Sequence, residues 1–312
     1  MVLEIEDLTR SFDHRGTEVH ALRGVSLTAG AGQIVGLLGL NGAGKSTMLK
    51  IVSTLLLPTS GSVRVCGHDV VRDPRRAREN LSVVLGGDRG LYQRLSGRDN
   101  LRFFATLAGV PSAGLRNRAA DALDFVGLTR AADRAVETYS KGMRQRLHLA
   151  IGLITRPELL LLDEPTVGLD PLEAQNIRQA VAGMRDEGTT IILTSHYLSD
   201  IEQLSDRIVL LQEGRITHDR PLAEFLDQAR CVATVTITGT GRPPAPAEDG
   251  FARLEVHAAG WTLTRQVDRW HPQALRELAD AWPDAHVSDV RVVPSGLEDV
   301  FTSIARTAGA DA

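Results

Sequence analysis

Gly39-Leu40-Asn41-Gly42-Ala43-Gly44-Lys45-Ser46-Thr47 is the stretch on which the reading of this chain turns. It satisfies the spacing G-x-x-x-x-G-K-[ST] of a phosphate-binding loop. Gly39, Gly42 and Gly44 let the backbone turn with its N–H groups inward, where side chains would crowd a phosphate. Lys45 supplies a mobile positive charge for the outer phosphates, and Ser46 a hard hydroxyl ligand for Mg2+. The flanks agree. Ile34-Val35-Gly36-Leu37-Leu38 is a short apolar run of the buried-strand kind. Thr47-Met48-Leu49-Lys50-Ile51-Val52 predicts a helix whose positive end faces the anion. A glycine-rich turn that binds nothing has no need of strand, loop, Lys-Ser-Thr and helix in this order.

Further along, Leu159-Leu160-Leu161-Leu162-Asp163-Glu164 is an apolar strand ending in adjacent carboxylates. Such a strand is expected to bring Asp163 beside Lys45 and Ser46, where it holds Mg2+ through water. Glu164 then faces elsewhere and polarises an attacking water. Alone, an acidic pair at a strand end is most often merely solvated. Downstream of a phosphate loop, one carboxylate for the metal and one for the nucleophile is the better account.

Tyr139-Ser140-Lys141-Gly142-Met143 opens a helical pattern running from Met143 to Ile154. A small hydroxyl residue and a glycine before a helix make a second anion-binding helix end. Here the chain resembles the ATP-binding-cassette (ABC) family, whose signature usually reads Leu-Ser-Gly-Gly-Gln. Ser140 and Gly142 are kept, while Tyr139, Lys141 and Met143 differ. The resemblance implies that Ser140 and Gly142 contact the γ-phosphate of ATP held by the opposite subunit of a homodimer. Gly168-Leu169-Asp170 is similar to the family's loop that crosses the dimer interface, so Asp170 joins the nucleotide-binding set. His196, after the β-rich Thr189–Ser195 run, resembles the family's switch histidine, which touches the γ-phosphate and orients the water. Phe12 resembles the early aromatic that stacks on adenine; a core phenylalanine is the competing reading.

One departure stands out. The family places a glutamine that reaches Mg2+ and the water about a dozen residues before a helix start, and here that start is Arg98-Asp99-Asn100-Leu101. Counting back puts Gly87 at the glutamine position. Glycine has no ligating side chain, which leaves Asp88, Gln93 or water alone for the task.

Composition narrows the class. The chain has 312 residues, 43% hydrophobic and 24% charged, with a net charge of −4, which excludes a global basic surface and leaves no nucleic-acid partner expected. Cys66 and Cys231 are its only cysteines, so neither a disulfide framework nor a zinc spacing is present. Met1 opens directly into a strand pattern, and no signal peptide is expected. The apolar runs fall short of the roughly 20 residues that a membrane span needs. A transport role would therefore need another chain to form the channel.

The expected fold class is α/β: a P-loop NTPase core of ABC type with an α-helical subdomain, plus a small C-terminal α+β domain. Residues 1–220 form the nucleotide-binding domain, 221–230 a connecting helix and 231–312 the accessory domain. Strands are expected over Val2–Phe12, Ala21–Thr28 and Leu81–Leu85, and helices over Asp99–Leu107, Leu115–Val126 and Pro171–Glu187. In the tail, Val232–Thr238 and Val287–Val293 read as strands, Leu254–Val267 as a hairpin, and Pro272–Ala281 and Gly296–Ala305 as helices. Ser295-Gly296-Leu297-Glu298-Asp299-Val300-Phe301 resembles the tail motif of ABC ATPases that serve drug, antibiotic and polysaccharide exporters.

The resemblance implies an ATP-hydrolysing subunit at the cytoplasmic face of the cell membrane, needing ATP and Mg2+, working as a homodimer and driving a multi-span membrane permease. Drug or antibiotic efflux is the expected task, with lipid, glycan or ion export as alternatives. A soluble ABC ATPase of translation or DNA maintenance usually carries two cassettes or a long coiled-coil insertion, and this chain has one phosphate loop. Gly87 suggests a non-hydrolysing sensor; Glu164 and His196 argue against it.

Overall fold

A computed structural model describes residues 1–14, 17–85, 90–227, 233–241, 252–257, 260–267, 285–294 and Leu297. The chain divides into two compact units, Met1–Leu222 and Ala223–Ala312.

The first unit opens with a long antiparallel pair, β1 (Leu3–His14) and β2 (Thr17–Ala29). Both run past their apolar patterns, because ladder pairs such as Ser11 with His20 and Asp13 with Glu18 extend the hairpin without needing a buried face. After β3 (Ile34–Leu38) and α1 (Lys45–Val52), β4 (Ser60–Val65) and β5 (His68–Asp69) complete an antiparallel sheet ordered β2-β1-β4-β5. Next come α2 (Pro74–Glu79) and β6 (Leu81–Leu85). The expected helical interruption follows as α3 (Gly97–Leu107), α4 (Leu115–Phe125) and α5 (Lys141–Leu153). Then come β7 (Leu159–Asp163), α6 (Pro171–Asp186), β8 (Thr190–Thr194), α7 (Leu198–Leu204), β9 (Arg207–Gln212) and β10 (Arg215–Pro221).

These strands form a six-stranded sheet ordered β10-β9-β3-β8-β7-β6. Its neighbours run parallel from β9 to β6, and β10 pairs antiparallel with β9. Parallel strands are covered on both faces, so they need apolar side chains at successive positions rather than alternating ones. Every residue of β3 and β8 is buried, and β7 is buried up to Asp163. One apolar cluster joins Ile5 and Leu27 of the first sheet, Met48 and Ile51 of α1, and Leu161 and Ile192 of the second. The phosphate loop is thereby fixed at both ends, by a core strand and by a core helix.

Helix starts follow local chemistry. Helix α5 begins at Lys141, ahead of its apolar periodicity, because Ser140 Oγ accepts the Met143 N–H at 3.1 Å. Pro171 stands in the first turn of α6, where its missing N–H costs nothing.

The helix α8 (Leu222–Asp227) precedes the tail strands. In the second unit, β11 (Ala233–Gly241), β12 (Ala252–His257), β13 (Gly260–Val267) and β14 (Ala285–Pro294) form an antiparallel sheet ordered β12-β13-β11-β14. The hairpin expected over Leu254–Val267 is the β12–β13 pair. Val235, Ile237, Trp261 and Leu263 form its core. Gly239 makes room for the indole: a Cβ there would stand 2.3 Å from the Trp261 ring. The helices expected over 272–281 and 296–305, Trp270 and Trp282 lie outside the described residues, apart from a buried Leu297. Among the described residues no helix is long and apolar enough to cross a membrane.

Candidate nucleotide site

In an open parallel sheet, ligands collect beyond the carboxyl ends of the strands. Three of those ends adjoin here through one residue. Thr194, the last of β8, pairs with Leu37 of β3 on one side and with Asp163 of β7 on the other. The phosphate loop leaves β3, Glu164 follows β7 and His196 follows β8, so residues far apart in sequence meet at one edge.

The loop's glycines take positive φ, at 155° for Gly39, 84° for Gly42 and 108° for Gly44. Two of them also admit no side chain. A Cβ on Gly39 would stand 2.3 Å from the Leu211 carbonyl oxygen, and one on Gly44 2.5 Å from that of Ala21. The turn after β9 braces the loop from below, its Gly214 N–H donating to the Ala43 carbonyl at 3.0 Å.

Helix α1 starts from Gly44 without a side-chain cap, as α2, α4 and α7 also start without one, whereas Ser96, Ser140 and Asp170 cap α3, α5 and α6 through side-chain oxygens. What sets α1 apart is the glycine-framed loop that leads into it. First-turn N–H groups have no intrahelical acceptor. An uncapped helix end, on a loop where added Cβ atoms would collide with backbone, fits the phosphates of a nucleotide.

Lys45 Nζ donates to the carbonyls of Gly39 at 2.5 Å and Leu40 at 3.1 Å, so the ammonium lies back across the loop. Burial pulls its pKa below the usual lysine range; Glu164, and after it Asp163, push the other way. Both carboxylates therefore share the neighbourhood of Lys45. The Asp163 Oδ1 accepts from Thr194 Oγ1 at 2.6 Å. Among the described residues no three His, Cys, Asp or Glu side chains cluster as a metal cage. Ser46 and Asp163 instead suit Mg2+, which keeps waters and takes one or two protein oxygens plus phosphate oxygens.

Glu164 and His196 meet directly, with Nε2 2.7 Å from Oε1. The Glu164 backbone is left-handed, φ 55°, and its N–H donates to the Thr194 carbonyl at 3.0 Å. A non-glycine residue held there costs on the order of 1–3 kcal/mol, a strain that concentrates at functional positions. Here it turns the chain sharply after Asp163, so neighbouring carboxylates take separate surroundings.

The signature segment has its own construction. Tyr139, where the family pattern has leucine, is buried, and its hydroxyl donates to the Ala131 carbonyl at 2.6 Å. Gly97 at the start of α3 accommodates it, since a Cβ there would stand 2.3 Å from the phenolic oxygen. Gly142 accommodates Glu173 of α6 in the same way, at 2.5 Å from the carboxylate. Arg146 Nε pairs with Glu173 at 3.3 Å, tying α5 to α6. The Asp170 Oδ1 accepts the Glu173 N–H at 3.0 Å and caps α6. Ser140, Gly142 and Asp170 thus form a second locus at the starts of α5 and α6.

Phe12 is 37% exposed, which removes the core reading, and the Arg10 guanidinium carbon lies 4.5 Å from its ring centroid. Gly87 and Asp88 lie outside the described residues. Gln93 is exposed, and its carbonyl accepts the Glu137 N–H at 2.9 Å. Buried Asn100 clasps the chain just before it: its Oδ1 accepts the Tyr92 N–H at 2.8 Å and its Nδ2 donates to the Tyr92 carbonyl at 2.9 Å. Sequence reasoning missed Thr194, Glu173 and Arg146. Thr194 offered only a β-branched residue at a strand end, and the Glu173–Arg146 pair spans two helices with no local signal.

Residues 22–167 match the family model described as ABC transporter. The chain is 43% identical over 205 residues to the daunorubicin/doxorubicin resistance ATP-binding protein DrrA of Streptomyces peucetius, covering 66% of this chain and 62% of the relative's own length. It is 36% identical over 309 residues to the daunorubicin resistance ATP-binding protein DrrA2 of Streptomyces coeruleorubidus, covering 93% of this chain and 92% of that one. Among solved structures, cbiO1 from Clostridium perfringens, described as part of the ABC transporter complex cbiONQ, aligns with a TM-score of 0.66 at 28% identity, over 73% of this chain and 91% of that one.

Proposed function

This chain belongs to the ABC transporter family and is an ABC ATPase, and from that premise we propose that it powers drug or antibiotic efflux through a separately encoded membrane permease. The observation that carries the proposal is the meeting, at one sheet edge, of an uncapped glycine-framed helix start, Lys45, Asp163 and the Glu164–His196 pair. Relatives named for daunorubicin resistance supply the cargo class.

In this reading Gly39–Thr47 wraps the phosphates with backbone N–H groups, and Lys45 turns from its loop carbonyls to phosphate oxygens. Ser46 and Asp163 hold Mg2+, which neutralises charge on the outer phosphates. Glu164 takes the proton of an attacking water, and His196 orients that carboxylate through the Oε1 contact. Phe12 lies against the adenine. Ser140, Gly142 and Asp170 face the phosphates bound by a second copy, so a homodimer closes over two nucleotides and excludes bulk water. The described residues supply no membrane-crossing helix; a multi-span permease provides the channel and holds this subunit at the cytoplasmic membrane face. Residues 1–220 carry this chemistry, 221–230 connect, and 231–312 form an accessory domain.

The deciding experiment co-expresses the chain with a multi-span membrane protein encoded beside it, then measures co-purification and ATP-dependent daunorubicin transport into inverted vesicles. Both are expected, and Glu164→Gln should abolish transport. Co-purification with transport of lipid or glycan but not of daunorubicin would move the cargo class. Failure to associate with any permease would place the chain among soluble ABC ATPases.

A further inference from the structure

Asp200, in the first turn of α7, is 1% exposed. A carboxylate buried so deeply is tolerated only when its oxygens are satisfied. Oδ1 accepts from Arg178 Nη1 at 2.7 Å. Oδ2 accepts from Ser195 Oγ at 3.0 Å and also from Thr166 Oγ1. Ser195 Oγ in turn accepts the Tyr197 N–H at 3.0 Å.

The donors come from separate segments, and each segment leads to the site. Thr166 follows Glu164 with only Pro165 between them. Ser195 immediately precedes His196, and its bond to Tyr197 grips the chain on the far side of that histidine. Arg178 lies on α6, the helix capped by Asp170. One buried carboxylate therefore binds the stretches that present the candidate base, its imidazole partner and the interface loop.

We propose that Asp200 is a positioning residue for ATP hydrolysis, holding the Glu164 and His196 segments in the register that gives their 2.7 Å contact. This rests on the roles given above to Glu164 and His196. The chemistry explains why aspartate stands there. Three donors converge, and a carboxylate is purely an acceptor. Asparagine would turn an amide N–H toward either Arg178 or the paired hydroxyls. The competing account is a core fastening between α6 and α7 with no bearing on the chemical step.

The test measures ATP turnover, ATP affinity and thermal melting for Asp200→Asn in the full chain, alone and combined with His196→Ala. Turnover is expected to fall about 10- to 100-fold, the scale of a small misplacement at a reacting centre, with ATP affinity unchanged. In the His196→Ala background, Asp200→Asn should cost little more, because the contact that it positions is already gone. Equal fractional losses in both backgrounds, or a lower melting temperature with unchanged turnover, would overturn the proposal. Should Asp200→Asn fail to fold, Thr166→Val and Thr166→Ser decide: loss in the first with retention in the second supports it, and full turnover in Thr166→Val sinks it. Normal turnover in Glu164→Gln and His196→Ala themselves would instead refute the underlying assignment, and the proposal with it.

Discussion

His196 Nε2 lies 2.7 Å from Glu164 Oε1, although the two residues leave different strands. The contact exists because Thr194 pairs with Asp163 across β8 and β7, aligning the strand ends, and because Glu164 accepts a left-handed backbone. It engages one carboxylate oxygen, and in the proposed mechanism the second accepts the proton of the attacking water.

The contact predicts two graded losses. Glu164→Gln, which removes the proton acceptor and keeps the shape, should lower ATP turnover on the order of 10²–10⁴-fold with ATP affinity retained. His196→Ala should lower turnover by less than Glu164→Gln does, since the base remains but is no longer oriented. Phosphate release and calorimetry on both variants check this. Near-normal turnover in Glu164→Gln would remove it from the role of base.

Lys45→Ala should act earlier, on binding. Burial holds the pKa of the Lys45 side chain down while Glu164 and Asp163 push it up, and this lysine is the loop's only basic side chain. Its removal should weaken ATP binding with little effect on melting temperature. Gly39→Ala should do the reverse and destabilise the fold, because its Cβ meets the Leu211 carbonyl at 2.3 Å. Unchanged ATP affinity in Lys45→Ala would sink the phosphate-loop assignment.

Tyr139 and Gly97 should behave as a matched pair. Tyr139→Phe loses the hydroxyl bond to Ala131, worth about 0.5–1.5 kcal/mol of unfolding free energy by denaturant titration. Gly97→Ala should destabilise the chain when Tyr139 is present and cost much less in Tyr139→Phe, since the clash is with the phenolic oxygen. Additive effects would mean that Gly97 serves the helix start instead. The tyrosine is thus an alternative way of seating the signature segment, not a lapse in it.

The parallel sheet and the phosphate loop were legible because each has a signal confined to a few adjacent residues. Leu159–Leu162 has no polar face, and Gly39–Ser46 fixes both spacing and chemistry. The end of α5 nearest Ser140 was placed two residues late because apolar periodicity begins only after the cap has done its work. What stayed hidden was whatever needs two distant segments at once: Thr194 holding Asp163, Arg146 on Glu173, and Asp200 joining the segments of Thr166 and Ser195. Phe12 was undecided in sequence because exposure at the end of a long hairpin depends on strands that outrun their apolar pattern.

The residue that replaces the family's glutamine can be found by titrating Mg2+. Asp88→Ala or Gln93→Ala should raise the Mg2+ needed for half-maximal turnover if that side chain has taken over. If water serves alone, neither change will matter and Gly87→Gln will be tolerated. Loss of turnover in a folded Gly87→Gln protein would mean that backbone freedom at this glycine is what the site requires.

The tail should matter for assembly and not for chemistry. Its described core is a small sheet around Trp261, Val235, Ile237 and Leu263, and every residue assigned to phosphate, metal or water lies within Met1–Leu222. With none of the assigned site residues in this unit, packing is its expected contribution, either steadying the homodimer or bracing the cassette against the permease. A chain ending near Arg230 should therefore bind ATP with full-length affinity. It should dimerise more weakly when ATP is added to the Glu164→Gln form, or transport less with the permease. Sedimentation of the truncated Glu164→Gln protein with ATP measures the first, and vesicle transport the second. If dimerisation and transport both match the full chain, the unit is not a packing element and is either passive or regulatory.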